Sequence, residues 1–455
     1  MRIALAVHHF PPNYSAGAEL RAYRTARWLA NNGNDLRIIT VESVNSDPNE
    51  GVQTEDDVYR GLQVHRLSFD LSNPKDKFTW EYDNPWIYDH LVEYFAKMKP
   101  DVFHLISGYI LGAGALKAAL AHQIPVVVTL TDFWFFCPRI NLVRPDGTLS
   151  DAFVFDAHNC TRCKFEDKRR YLLPAKLAPK LANRFWAKSV DAKWSNLLGI
   201  KVTEKKFKDR NSNLFEVLSR ASAIVCPSQF LMNSLRSRGL PEKKLYLIQH
   251  GLDKSNWAPI VNRQRNDTFQ IGYLGQIDKH KGINLLIEAF KRLRTNIPVE
   301  LCIYGDDSSV PQYTNSLKKL ANEDTRIKFF GRYDYSQIAN IFSQLDVLVI
   351  PSIWNEIGPW VMYEALETKT PVLASDIPNM SHIIHHEENG LLFECGNWHD
   401  LAIQLQRVIE DNNLRLNLID GIKPVNTIDN EMTDLNRVYQ SVVKEMEPDT
   451  GMQQH

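Results

Sequence analysis

"DVLVIPSIWNEIGPWVMYEALETKTPVLAS", Asp346 to Ser375, decides the fold. It opens on DVLVIPS, a β-branched apolar run with the composition of a strand buried on both faces. It closes on PVLAS, a second short run of the same kind. Between them lie a loop holding Gly358 and Pro359 and an apolar segment that reads as a helix. Strand, helix and strand in this order make a βαβ unit, the grammar of a parallel sheet. The loop after the first strand sits at the carboxyl edge, where such sheets bind ligands. Gly358 allows close backbone approach to a ligand, and Pro359 suits the first helical position. Free N–H groups at that helix start attract an anion. Glu356 falls in the loop and Glu364 roughly two turns along the helix. Taken alone, the pair also reads as an acid favoured by the helix dipole and a solvated surface acid.

The same alternation runs outward in both directions. RIALAV at Arg2, DLRIITV at Asp35, DVFHLIS at Asp101 and PVVVTL at Pro125 read as strands, with helix-period segments between. In the first of those helices Ala22, Thr25, Ala26, Trp28 and Leu29 recur at helical spacing, and Asn32-Gly33 ends it. The pattern breaks from about 132 to 212, a stretch rich in aromatic and basic residues. It resumes with SAIVC and KLYLIQHGLD, and the polar run Asn256–Thr268 reads as a linker. A second alternating set starts at Phe269, and an amphipathic helix follows near the end of the chain.

A chain of 455 residues exceeds the usual domain size, so two domains are expected. The net charge of −1 offers no field to select nucleic acid. No apolar run reaches the roughly 18 residues of a membrane span. MRIALAV is followed by His8, His9 and two prolines, and reads as a buried strand, not a signal peptide. Six cysteines do not make a disulfide scaffold, and a reducing cytoplasm fits.

The stretch PSIWNEIGPWVMYEALETKTPVLASDIPNMSHIIHHEENGLLF, Pro351 to Phe393, resembles the nucleotide-sugar-binding core of the retaining glycosyltransferases of family 4. P-S, E-x-x-G, the second acid followed by Ala, P-V-x-A and N-G-x-L occur in order. One departure is Lys369, which stands where the family has glycine. The resemblance implies a GT-B fold, two Rossmann-like domains facing across a cleft. The N-terminal domain, 1–255 with the insert 132–212, would bind acceptor. The C-terminal domain, 268–428, would bind a nucleoside-diphosphate-sugar donor, and the helix 430–447 would cross back to the first domain. It implies no required cofactor and no metal.

On this resemblance Glu364 matches the acid that binds the donor ribose. Glu356 matches the acid near the transferred sugar and diphosphate. Backbone amides of Ile357, Gly358, Pro359 and Trp360 mark the region touching sugar and phosphate; proline itself has no N–H to give. In YLGQIDKHKG, Lys281 matches a lysine that clamps the diphosphate, whereas Gln276 stands in place of an arginine. A neutral amide lacks the guanidinium's charged, bidentate contact. Lys279 is a candidate to supply that charge. Asp306 matches a loop near the base, and Gly17 keeps half of a glycine pair at the sugar and phosphate.

In VVVTLTDFWFFCPR, Thr131 takes the slot of a histidine that touches the sugar, and Asp132 follows it. Thr131 and Asp132 join Glu356 and Lys281 as catalytic candidates. Asp132 also reads as a helix cap. His104, which ends a strand at the same edge, and Arg139 are acceptor-side candidates, although a lone histidine is more often structural. Cys160 and Cys163 have metal-ligand spacing, with Cys137 as a third candidate and His158 nearby. Packing thiols are the other reading, and similar cysteines occur in part of the resembling family. Lys164–Trp194 holds nine Lys/Arg against three Asp/Glu, interleaved with leucines. It reads as a basic amphipathic helix, packed on its own domain or lying on an anionic membrane at the inner face.

The activity implied is transfer of a sugar, with retention, from a nucleoside-diphosphate-sugar to a hydroxyl of a glycan or lipid-linked saccharide. Surface polysaccharide or glycoconjugate synthesis is the setting. A nucleotide-sugar epimerase, a phosphorylase and a non-catalytic sugar-nucleotide-binding subunit share the architecture.

Overall fold

The computed structural model describes residues 1–14, 17–45, 51–72, 74, 76–190, 194–255, 257–258, 267–322 and 324–446. Most of the expected linker, 256–268, lies outside the described residues. The chain divides into two compact units. The first comprises Met1–Pro227, Leu231–Ile248 and the residues from Met432 onward; the second comprises Ser228–Phe230 and Gln249–Glu431.

The first unit holds an eight-stranded sheet. Its strands are β1 (Arg2–Val7), β2 (Asp35–Ser43), β3 (Gln53–Tyr59), β4 (Leu62–Ser68), β5 (Val102–Ile106), β6 (Val126–Thr129), β7 (Ala223–Cys226) and β8 (Leu245–Leu247). The order is β3-β4-β2-β1-β5-β6-β7-β8, parallel except for β3 against β4. Ile3 to Val7 are fully buried, as a central parallel strand covered on both faces requires. The β3–β4 hairpin extends the edge beyond the alternation read from sequence. Arg60 and Gly61 both take positive φ in its two-residue turn, the geometry that matches strand twist.

The second unit holds β9 (Phe269–Leu274), β10 (Val299–Tyr304), β11 (Ile327–Gly331), β12 (Val347–Ile350), β13 (Val372–Asp376) and β14 (Gly390–Glu394). They form an all-parallel sheet in the order β11-β10-β9-β12-β13-β14. One core face packs Ile271, Leu301, Val349 and Leu373 with the helix Ile283–Phe290, and the other packs Leu348, Ile350 and Ala374 with Met362 and Met380.

The division falls after Ile248, not near residue 255. Gly251 explains the shift. Its amide donates to the Glu431 carboxylate at 2.7 Å, and an added Cβ would sit 2.1 Å from the Thr427 carbonyl oxygen. The segment Gly251–Leu252 is thereby held within the second unit. From Met432 the final helix, Ile428–Lys444, packs in the first unit, with Tyr439 fully buried there.

The stretch 132–212 is irregular only as far as Asp156 and mostly helical from Ala157. Helices run Ala157–Glu166, Arg169–Leu177, Pro179–Ser189 and Trp194–Leu197, and Ile200–Arg220 carries past its expected end. The basic segment Lys164–Trp194 is therefore not one helix. Pro179 heads a new helix, and Ala178 before it leaves the helical region with φ −140° and ψ 62°.

Candidate active site

The second sheet switches direction at β9. The chain runs from β9 to β10 and β11 on one side, then returns to place β12 on the other. The loops leaving β9 and β12 part at this point, which is where open α/β sheets bind ligands. Here they touch. Gly282, with φ +70°, ends the β9 loop, and an added Cβ would lie 1.9 Å from the Pro351 carbonyl oxygen. The Ile353 amide donates to the His280 carbonyl at 2.9 Å.

This contact brings Lys281 to Glu356. Lys281 Nζ lies 2.6 Å from Glu356 Oε1, and Ser352 Oγ donates to the same oxygen at 2.7 Å. Asn379 Nδ2 donates to the Glu356 carbonyl oxygen, and the Lys281 ammonium sits 5.2 Å from the Trp354 ring centre. Glu356 is only 4% exposed. A charge this buried persists because it is paired and hydrogen-bonded.

The helix that follows is Trp360–Glu367, with Pro359 as its extended N-cap, one position outside the expected place. Gly358 takes φ +107°, and a Cβ there would lie 3.2 Å from both the His250 ring and the Tyr363 hydroxyl. Trp360 stacks on His250, centres 4.8 Å apart. Ile357, Met362, Ala365 and Leu366 are buried, and so is Glu364, at 3% exposure. The solvated-acid reading of Glu364 fails on that burial. Its Oε1 accepts from the Tyr335 hydroxyl at 2.8 Å. Lys369, the departure from the family glycine, ends this helix at φ +57°, a conformation glycine adopts freely.

The remaining donor-side candidates differ. Gln276 is exposed, and its backbone carbonyl accepts from the buried Tyr273 hydroxyl at 2.6 Å. Lys279 is exposed nearby. Asp306 accepts from the Ser308 hydroxyl at 2.6 Å and the Ser308 amide at 2.9 Å, which bring its carboxyl down to about 2. It closes its own turn. Gly17 starts the helix Gly17–Asn31, and an added Cβ meets nothing within 4 Å.

In the first unit the switch point lies between β1 and β5. Asp132, just past β6, accepts from Ser107 Oγ at 2.6 Å and from the Trp134 amide at 2.8 Å. Burial pushes its carboxyl above the usual range, and these bonds offset only part of that. Thr131 is half-buried beside it. His8 Nε2 lies 3.3 Å from Glu19 Oε1, with Tyr109 edge-on to the His8 ring at 5.5 Å. Burial raises the Glu19 carboxyl, but the His8 contact outweighs it and the net direction is down. Sequence reasoning passed over His8 and Glu19. The signal was a polar residue directly after the first strand and an acid in the first turn of the next helix.

His104 is corrected from an acceptor-side candidate to an internal residue. Its Nδ1 bonds the Tyr439 hydroxyl at 2.6 Å and its Nε2 the Thr129 hydroxyl at 2.7 Å, so both ring nitrogens are taken. Burial brings it down to about 3 and keeps it neutral. Arg139 is held inside the insert, with Nε on the Val143 carbonyl at 2.9 Å and Nη1 on Asp167 at 2.5 Å. Burial pushes the Cys160 thiol up to about 11 and the Cys163 thiol up to about 12, and raises Cys137. His158 instead bonds Glu204 at 2.6 Å. Among the described residues no three or more His, Cys, Asp or Glu side chains are grouped to hold a metal ion.

Two Rossmann-like units, each with a switch point, define the class: a GT-B glycosyltransferase fold. Sucrose-phosphate synthase from Thermosynechococcus elongatus superposes with a TM-score of 0.66 at 17% identity, covering 98% of this chain and 99% of that one. Anabaena HepE in complex with UDP and glucose superposes at 0.62 and 14% identity, covering 97% and 100%. Residues 258–423 match the glycosyl transferases group 1 family and residues 16–156 the glycosyl transferase 4-like domain, and the chain belongs to this family. It is similar to the putative glycosyltransferase YtcC of Bacillus subtilis, 27% identical over 50% of this chain and 62% of that protein. It also aligns with an uncharacterized glycosyltransferase of Methanocaldococcus jannaschii, 26% identical over 40% of this chain and 49% of that protein. The chain thus spans about half to three-fifths of the length of these curated relatives. The sulfoquinovosyl transferase SQD2 of Arabidopsis thaliana is 22% identical over 91% of this chain and 68% of its own.

Proposed function

We propose that this chain transfers a sugar, with retention, from a nucleoside-diphosphate-sugar to an acceptor hydroxyl in polysaccharide or glycoconjugate synthesis. The carrying observation is the buried Lys281–Glu356 pair at the switch point of the second sheet. Lys281 and the N–H groups that open the helix at Trp360 take the diphosphate. The ribose hydroxyls donate to the Glu364 carboxylate, alongside or in place of Tyr335. The bond from the anomeric carbon to the phosphate oxygen breaks, and the acceptor oxygen bonds that carbon on the same face. The acceptor's proton passes to the departing phosphate oxygen, so no strong protein base is required. Catalysis is then positioning plus charge stabilisation of the leaving group, with Lys281 as its cation. The first unit's Asp132, Thr131, His8 and Glu19 are the candidates to face sugar and acceptor. The UDP and glucose named with HepE and the capsular polysaccharide biosynthesis named for Staphylococcus aureus CapM support this reading.

The test is a panel of nucleotide sugars with saccharide and lipid-linked acceptors, products resolved by anomeric NMR. Transfer with retained configuration is expected; transfer with inversion refutes the mechanism. Gln276 and Thr131, which replace a charged and an imidazole side chain, favour a second reading, a sugar-nucleotide-binding subunit without activity. Donor binding without transfer or hydrolysis across the whole panel would select it.

A further inference from the structure

The insert of the first unit presents an apolar surface that its own fold leaves open. Leu173 and Leu177 stand one turn apart on the helix Arg169–Leu177, as do Leu181 and Phe185 on Pro179–Ser189. All four are exposed, Leu177 at 81% and Leu181 at 64%. On Pro179–Ser189 the face opposite to solvent is already filled by Ala182, Trp186 and Ser189, which are buried. Leu181 therefore lies outside the core contact, while Phe185, 36% exposed, meets the Trp186 ring edge-on at 5.2 Å. Beside them on the helix surface run Lys180, Arg184 and Lys188, at i, i+4 and i+8.

The charge around this row is one-sided. From Lys164 to Lys188 there are eight Lys/Arg and two acids. Both acids are engaged, Glu166 with Arg162 at 2.7 Å and Asp167 with Arg139 at 2.5 Å. Among the described residues no carboxylate lies within ion-pair distance of Lys176, Lys180, Arg184 or Lys188. A buried side, then an apolar row, then a cationic row is the layout of a helix lying in a membrane interface. The leucines enter the acyl boundary and the long basic side chains reach the headgroups. No described helix is long and apolar enough to cross a membrane, so attachment here is lateral.

We infer that the consecutive helices Arg169–Leu177 and Pro179–Ser189 dock the protein on an anionic lipid surface. Charge complementarity selects that partner, because a neutral apolar partner would leave the cationic row unmatched. The contact stands independently of the transfer reaction.

The test is co-sedimentation of the full chain with phosphatidylcholine vesicles, with and without phosphatidylglycerol. Pelleting should require the anionic lipid and fall with added salt. The triple variant Lys180→Ser, Arg184→Ser, Lys188→Ser should lower the partition coefficient about a hundredfold, at about fivefold per cation. The triple variant Leu177→Ser, Leu181→Ser, Phe185→Ser, all at exposed positions, should lower it with the charges intact. Far-UV circular dichroism checks that both stay folded. Equal pelleting with neutral and anionic vesicles, no pelleting with either, or a leucine variant that pellets like the parent overturns the proposal. So does lipid-free self-association that the leucine variant abolishes, which would assign the row to a second copy of the chain.

Discussion

Replacing Lys281 by methionine keeps most of the side chain's volume and removes its charge. Glu356 would keep only the Ser352 hydroxyl on its side chain, at 2.7 Å, while remaining almost wholly buried. Stranding a fully buried charge costs about 3–5 kcal/mol, and the partial exposure of Lys281 (17%) reduces that to about 2. For a unit of this size, that lowers the unfolding midpoint by about 4–8 °C. Adding Glu356→Gln should restore most of the stability while leaving transfer low. Turnover has a separate scale. Removing one preorganised stabiliser of developing charge costs about 10²–10³ in kcat. The assay is calorimetry of the single and double variants, with transfer kinetics on the same samples. If Lys281→Met unfolds at the parental temperature and turns over within about threefold of it, the pair neither holds the site nor stabilises the leaving group.

Glu364→Gln retains the shape but loses the charge proposed to meet the ribose; donor binding by calorimetry should weaken about tenfold, with kcat at saturation little changed. An unchanged dissociation constant would refute the ribose assignment. Gln276→Arg places a guanidinium in the exposed loop beside Lys281, and donor affinity should rise about five- to tenfold. Weaker binding would show that this loop does not face the diphosphate. His104, brought down to about 3 by burial, takes up its proton more readily when unfolded, so its contribution to stability is full above pH 6.5 and is lost as pH falls toward 3. His104→Gln should flatten the acid limb of the unfolding free energy from urea titrations against pH by up to about 1.4 kcal/mol per pH unit, and an unaltered limb would contradict a neutral internal imidazole.

Much of the fold is legible because its signals are local. Runs such as DVLVIPS and PVVVTL have the near-continuous apolar character of strands buried on both faces, and their alternation with helix-period segments points to a parallel sheet covered by helices. The β3–β4 hairpin was less visible. Its outer strand, QTEDDVY, is mostly exposed and carries little apolar pattern. The insert likewise gave no strand signal, yet Pro179 divides the basic segment, starting a new helix after Ala178. Lys369 shows a departure from family pattern acquiring a cost: a long side chain occupies positive φ, and its ammonium is tied to the Ile422 carbonyl at 2.5 Å.

Residue order alone determined two α/β halves and placed Glu356, Lys281 and Asp132 in loops at the carboxyl ends of strands. Periodicity and turn residues act over a few positions, so they can be read without knowing any neighbour. Which side chains meet was decided only by the tertiary structure. Lys281 and Glu356 are 75 positions apart and pair because β12 returns to the side of β9 opposite β10. Burial was decided there too. Glu364 became an enclosed carboxylate under Tyr335, and His104 an uncharged link between β5, β6 and the final helix. Desolvation and hydrogen-bond partners depend on what packs against a group, and sequence spacing carries neither.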